Sequence, residues 1–181
     1  MDNKLVENKA TTSLNKTKSL VLAGLLFAVA IVLSIVENSF PPIMIGVPGV
    51  KLGLSNISVM YALFFLNKGQ AFSIAILKAM FVLITRGIMA AALSLSGGIL
   101  SLIIMSILLM LLKEKISYLI ISIFGAVFHN IGQLVAISFM LTYVYIWAYL
   151  PVLLITGVLA GIATSTLLKF ILPAFKKLGL K

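Results

Sequence analysis

The sequence contains no cysteine and a single histidine, His129. The first absence excludes disulfides, thiolate metal centres and iron–sulfur clusters. The second excludes a multi-histidine metal site. Carboxylates are nearly as scarce: Asp2, Glu7, Glu37 and Glu114 are all that the chain carries. General acid–base pairs, metal clusters and proton relays are mostly built from carboxylates. Of these four, only Glu37 falls near membrane depth on the outer side. The nearest glycine-rich piece to a phosphate loop, 46–53, lacks the G-x-x-x-x-G-K-[ST] pattern, so any nucleotide must be handled by another subunit. No metal or cofactor is implied.

What fills the chain instead is apolar. Of 181 residues, 62% are hydrophobic and only 10% charged, with mean hydropathy +1.23. Soluble domains are charged at about a quarter of positions. A water-soluble fold could not cover itself with this little polar surface, so the sequence reads as one polytopic membrane domain. The expected fold class is an all-α integral membrane protein with six transmembrane helices, at 19–36, 52–66, 70–93, 99–112, 116–142 and 151–170. A polar tail, 1–18, precedes the domain 19–172, and a basic tail, 173–181, follows it. No small-x-small cleavage site with polar sequence after it follows the first segment, which is therefore read as a retained helix.

The connections carry most of the helix breakers. The stretch 37–58 holds Pro41-Pro42 and Pro48-Gly49, which stop helices and force turns. Asn67-Lys68-Gly69 reads as a tight turn, 94–98 (SLSGG) as a break, and Lys113-Glu114-Lys115 as another turn. Residues 143–150, with Trp147 and three tyrosines, suit a membrane interface.

The net charge is +10. In a soluble protein this would suggest nucleic acid; here the basic residues sit in tails and short loops, and topology accounts for them without a nucleic-acid partner. Six segments place both termini on one side. Lys4, Lys9, Lys16, Lys18, Lys68, Lys113, Lys115, Lys169, Lys176, Lys177 and Lys181 all fall on that side. The opposite connections hold only Lys51 and Arg86. The positive-inside rule gives N-in and C-in, with 37–58 outside.

The remaining basic residues are Lys51, Lys78 and Arg86, and with Glu37 and His129 they form a small polar set. At 1.5 Å per residue, Lys78 lies roughly 12 Å, His129 about 20 Å and Arg86 roughly 24 Å from the inner side. Gln133 is one turn beyond His129 on the same face, with Asn130 beside them. Asn56 comes from the outer connection. These residues can converge on an outward-opening cavity. Each also has a structural reading: headgroup snorkelling for Lys51 and Arg86, an inward snorkel or a carbonyl contact for Lys78, interhelical hydrogen bonds for His129, Asn130 and Gln133, and an ion pair for Glu37. As a site, Lys51, Lys78 and Arg86 against Glu37 leave two excess positive charges. Such a cavity favours a small-molecule anion, and apolar walls suit a flat or greasy body. On the first segment, Gly24 and Ala28 form a small-xxx-small pair that lets another helix approach closely.

Four stretches carry a resemblance: 48–56 (PGVKLGLSN), Arg86-Gly87, 94–101 (SLSGGILS) and 124–133 (FGAVFHNIGQ). Over about 20–170 the chain resembles the bacterial Gx transporter family, which is also labelled heptaprenyl diphosphate synthase component I. That family is similar to the S components of energy-coupling factor transporters, six-helix proteins of the bacterial plasma membrane. The resemblance implies a solute-binding subunit with its ligand under the first outer loop. It implies docking through Gly24 and Ala28 onto a coupling subunit driven by an ATPase pair. Some relatives are associated with flavin-based extracellular electron transfer, which makes a flavin- or quinone-related solute an expectation. The second label implies an accessory role in isoprenoid or quinone biosynthesis. Prenyl elongation needs Asp-rich motifs to hold magnesium and diphosphate, and the one aspartate here is Asp2. The chain is therefore not expected to be the catalytic subunit, nor an enzyme.

Overall fold

The structure is a computed structural model that describes residues 2–39, 53–112, 116–141 and 144–177. Five α-helices account for nearly all of them: α1 (Asp2–Ser39), α2 (Asn56–Phe65), α3 (Lys68–Leu112), α4 (Tyr118–Leu141) and α5 (Leu150–Lys177), with a 3-10 stretch at Val144–Tyr149 before α5. The polar lead-in of the sequence continues the first helix, since α1 begins at Asp2. Four stretches, Lys16–Ser39, Lys68–Leu112, Tyr118–Met140 and Ile146–Phe170, are long and apolar enough to cross a membrane. Large apolar side chains cover the outside: Ile84, Ile88, Leu111, Phe139 and Phe170 are all exposed. So much bare apolar surface needs lipid around it.

The 45 residues of α3 would span about 67 Å if straight, twice the thickness of a bilayer core. They do not run straight. Gly87 has φ 83° and ψ 179°, a conformation open in practice only to glycine. A Cβ built on Gly98 would lie 3.8 Å from the Cβ of Ala75. In a straight helix those residues would be roughly 34 Å apart. The chain therefore folds back at Gly87, and 68–86 and 88–112 run antiparallel. Two helices here match the sequence expectation, but the break lies at Gly87 and not at 94–98. The glycines of SLSGG serve close packing: a Cβ on Gly97 would meet the His129 carbonyl oxygen at 2.7 Å, and one on Gly132 would meet the Ser96 oxygen at 2.8 Å. Serine and glycine there bring the descending limb of α3 against α4.

Side-chain caps set the two helix starts that follow short turns. Asn67 Oδ1 accepts from the Gln70 N–H at 2.8 Å, and Ser117 Oγ accepts from the Ile120 N–H at 3.3 Å; both satisfy N–H groups that a helix start leaves open. Ser19 and Gln70 then hydrogen-bond to each other, tying α1 to the start of α3.

Two apolar layers mark the ends of the bundle. The larger gathers Leu22 and Leu26 of α1, Tyr61 of α2, Ile74 and Leu102 from the two limbs of α3, Ile121 of α4 and Leu168 of α5. The smaller joins Leu93, Leu134, Ile137 and Leu153 near the Gly87 end. The first layer collects the early part of α1 and the late part of α5, so the two termini share one end. Buried beside the larger layer is a polar band: Glu37, Ser55, Lys78, His129 and Asn130.

Candidate functional site

That polar band opens into a cavity of about 320 Å³, within the size range of small-ligand sites. Every helix except α5 supplies it. α1 contributes Ser34 and Glu37, one turn apart, and the turn into α2 contributes Gly53, Ser55 and Asn56. The ascending limb of α3 gives Lys78, Val82 and Arg86 at i, i+4 and i+8, which puts all three on one face. Met89, Ala90, Leu93 and Ser94 line the descending limb, and His129 and Gln133 come from α4.

The turn before α2 is what brings its residues to the cavity. Gly53 has φ 72°, and the Asn56 and Ile57 N–H groups close onto the Gly53 and Leu54 carbonyls at 2.9 and 3.1 Å. The Gly53 N–H itself donates to Glu37 Oε1, fixing α1 to the turn. The ten residues of α2 extend about 15 Å, so its N-terminus ends inside the bundle, at the wall of the cavity.

Lys78 meets that N-terminus. Its Nζ is buried and donates to Asn56 Oδ1 at 2.6 Å and to Ser55 Oγ at 3.3 Å. A helix N-terminus carries roughly half a positive charge. A lysine ammonium placed there adds to that field instead of balancing it. With Arg86 and Glu37 on the same wall system, the described lining holds two cations and one carboxylate. The described lining therefore carries more cationic than anionic groups, and burial in apolar surroundings keeps their fields weakly screened.

Of the residues singled out from sequence, Glu37, Asn56, Lys78, Arg86, His129 and Gln133 line this one cavity. Asn130 does not. It lines an adjoining recess of about 20 Å³ between α2, α3, α4 and α5 that shares Gly53, Asn56 and His129 with the cavity, and its Nδ2 donates to the Leu153 carbonyl at 2.9 Å, joining α4 to α5. His129 lines both spaces. Its Nε2 lies 3.1 Å from Gln133 Nε2, and its ring packs against Gly97. Lys51 lies outside the described residues. Gly24 and Ala28 face outward on α1, and a Cβ on Gly24 would meet nothing within 4 Å.

Sequence reasoning did not single out Ser34, Ser55, Val82, Met89, Ala90, Leu93 or Ser94. Ser34 and Val82 were findable by helical spacing from Glu37, Lys78 and Arg86. The four residues of the descending limb were not, because a turn placed at 94–98 assigns them to the wrong limb.

A family model described as heptaprenyl diphosphate synthase component I matches residues 26–171. No curated protein and no solved structure matches the chain.

Proposed function

The chain belongs to the heptaprenyl diphosphate synthase component I family, and on that footing we propose that it is a membrane-embedded, solute-binding subunit of an ATP-driven uptake transporter, in the manner of an energy-coupling factor S component. Its solute is a small, partly apolar anion. The observation that carries this reading is Lys78, a buried cation held at the positive end of α2 beside a cavity that Arg86 also lines. Intramembrane ionisable groups are expensive, at least ~2–3 kcal/mol at mid-membrane. Two cations of one sign around a ligand-sized space are worth that expense when an anion enters and relieves their repulsion.

Topology supports capture from outside. Exposed Lys16, Lys18, Lys68 and Lys169 collect at the end of the larger apolar layer, whereas Arg86 marks the other end. Under the positive-inside rule the lysine end is cytoplasmic, giving N-in and C-in. The fold-back at Gly87 then makes α3 two crossings, and α2 a segment that enters from the outer half. In this reading the membrane is the bacterial plasma membrane.

The partners are a coupling subunit and an ATPase pair. Gly24 and Ala28 are open on the outer face of α1, where a partner helix could approach closely. The family description favours a second reading, an accessory membrane subunit working beside a soluble prenyl synthase. Copurification from the native membrane separates the two. A coupling subunit with paired ATPases supports the first reading, and a prenyl synthase without them overturns it. Gly24→Leu should abolish the association while leaving ligand retention intact.

A further inference from the structure

We infer that the solute is an elongated aliphatic anion, held with its acidic group at the mouth on Arg86 and a neutral hydrogen-bonding end inward on Asn56, His129 and Gln133. The inference rests on the ligand-site reading above and adds an orientation, a body type and a recognition residue. Length comes from the wall itself. Lys78, Val82 and Arg86 all line the cavity, and eight helical steps place the outer two about 12 Å apart. The space is thus a slot running along α3, with Val82 at its middle.

The two cations differ in what they can still do. Lys78 is buried and already donates to Asn56 and Ser55, so it sets the potential and positions Asn56. Arg86 is exposed at the mouth and makes no hydrogen bond or ion pair among the described residues. Its planar fork of donors matches a carboxylate or a phosphate bidentately. At the inner end Gln133 gives one amide hydrogen to His129 Nε2, and its carbonyl oxygen keeps acceptor capacity for a hydroxyl or an amide N–H.

The body follows from the lining between these ends. Val82, Met89, Ala90 and Leu93 are aliphatic, and no Phe, Tyr or Trp lines the cavity among the described residues. The stacking-capable groups of the described lining, the His129 ring and the Arg86 guanidinium, sit at its two ends, and the wall between them is aliphatic. A chain or a saturated ring would be covered on the α3 side by both limbs.

The test is titration calorimetry of the full chain in lipid nanodiscs. The probes are 8-hydroxyoctanoate, 8-hydroxyoctyl phosphate, 1,8-octanediol and biphenyl-4-carboxylate. At least one aliphatic acid should bind about tenfold or more tightly than the diol, and tighter than the aromatic acid; the tighter of the two acids names the anionic group. Arg86→Gln, at an exposed position, should erase the advantage of acid over diol. Equal binding of acid and diol, an advantage that survives Arg86→Gln, a preference for the biphenyl acid, or no heat with any probe each overturns the assignment. The transporter reading fails on a different observation, the absence of an ATPase partner, which these titrations leave untouched.

Discussion

Lys78 concentrates the chemistry of the molecule in one side chain. A buried ammonium has to be satisfied by acceptors, and Asn56 and Ser55 supply two. Those acceptors belong to the N-terminus of α2, so the same contact that satisfies the lysine also places like-signed charge together. Lys78→Met keeps the length and removes the charge. The variant should fold, with stability changed by no more than about 1–2 kcal/mol, because Asn56 and Ser55 lose a donor while the buried ammonium is replaced by a methyl thioether that needs none. Thermal unfolding in detergent checks the first part. Gly97 is the opposite kind of residue, fixed by space instead of charge. A methyl there would meet both the backbone oxygen and the ring of His129. Gly97→Ala should therefore cost about 1–3 kcal/mol and move His129 out of the cavity wall, read as a lower unfolding temperature together with weaker ligand retention.

At the scale of elements, the fold-back at Gly87 decides which side chains share the cavity. Without it Met89, Ala90 and Leu93 would lie beyond Arg86, far from Lys78. The absence of native cysteine makes this testable. The 3.8 Å between the Ala75 Cβ and a Cβ on Gly98 equals the mean separation across a disulfide, about 3.8 Å. The double variant Ala75→Cys, Gly98→Cys should form an intramolecular disulfide on mild oxidation, seen by mass spectrometry. A straight α3 would hold the two thiols too far apart to react. This is also where the sequence misleads. Ser94–Gly98 looks like a turn because Gly-Gly and serine are turn formers. Yet the turn needs only one residue with φ near +80°, and Gly87 supplies it next to Arg86 without any other breaker in sight. Local composition cannot distinguish a glycine chosen for its dihedral angles from one chosen for its missing side chain. The short α2 is a second departure: the sequence reads a crossing at 52–66, whereas the helix is Asn56–Phe65, about half a span, because the turn at Gly53 starts it late.

For the whole molecule, two things are plain in the sequence: a helical membrane protein, from hydropathy, and a small polar set, from the scarcity of charge. Glu37, Asn56, Lys78, Arg86, His129 and Gln133 stand out in the sequence because so little else is polar, and they line one cavity. Asn130 stood out equally; it lines the smaller adjoining recess and its amide also ties α4 to α5, a placement that depends on neighbours that sequence does not reveal. The proposed orientation can be read directly. In whole cells, a single cysteine at Arg86 should react with a membrane-impermeant maleimide, while one at Lys169 should react only after the membrane is opened; the reverse pattern would invert the topology. The central claim, that the cavity between α1, α2, α3 and α4 holds an anionic solute, is tested most directly by native mass spectrometry of the purified chain and of Lys78→Met. The unsubstituted protein should retain a small anionic adduct that the variant loses. A bare spectrum for the unsubstituted protein, or an adduct equally abundant on both, would contradict it.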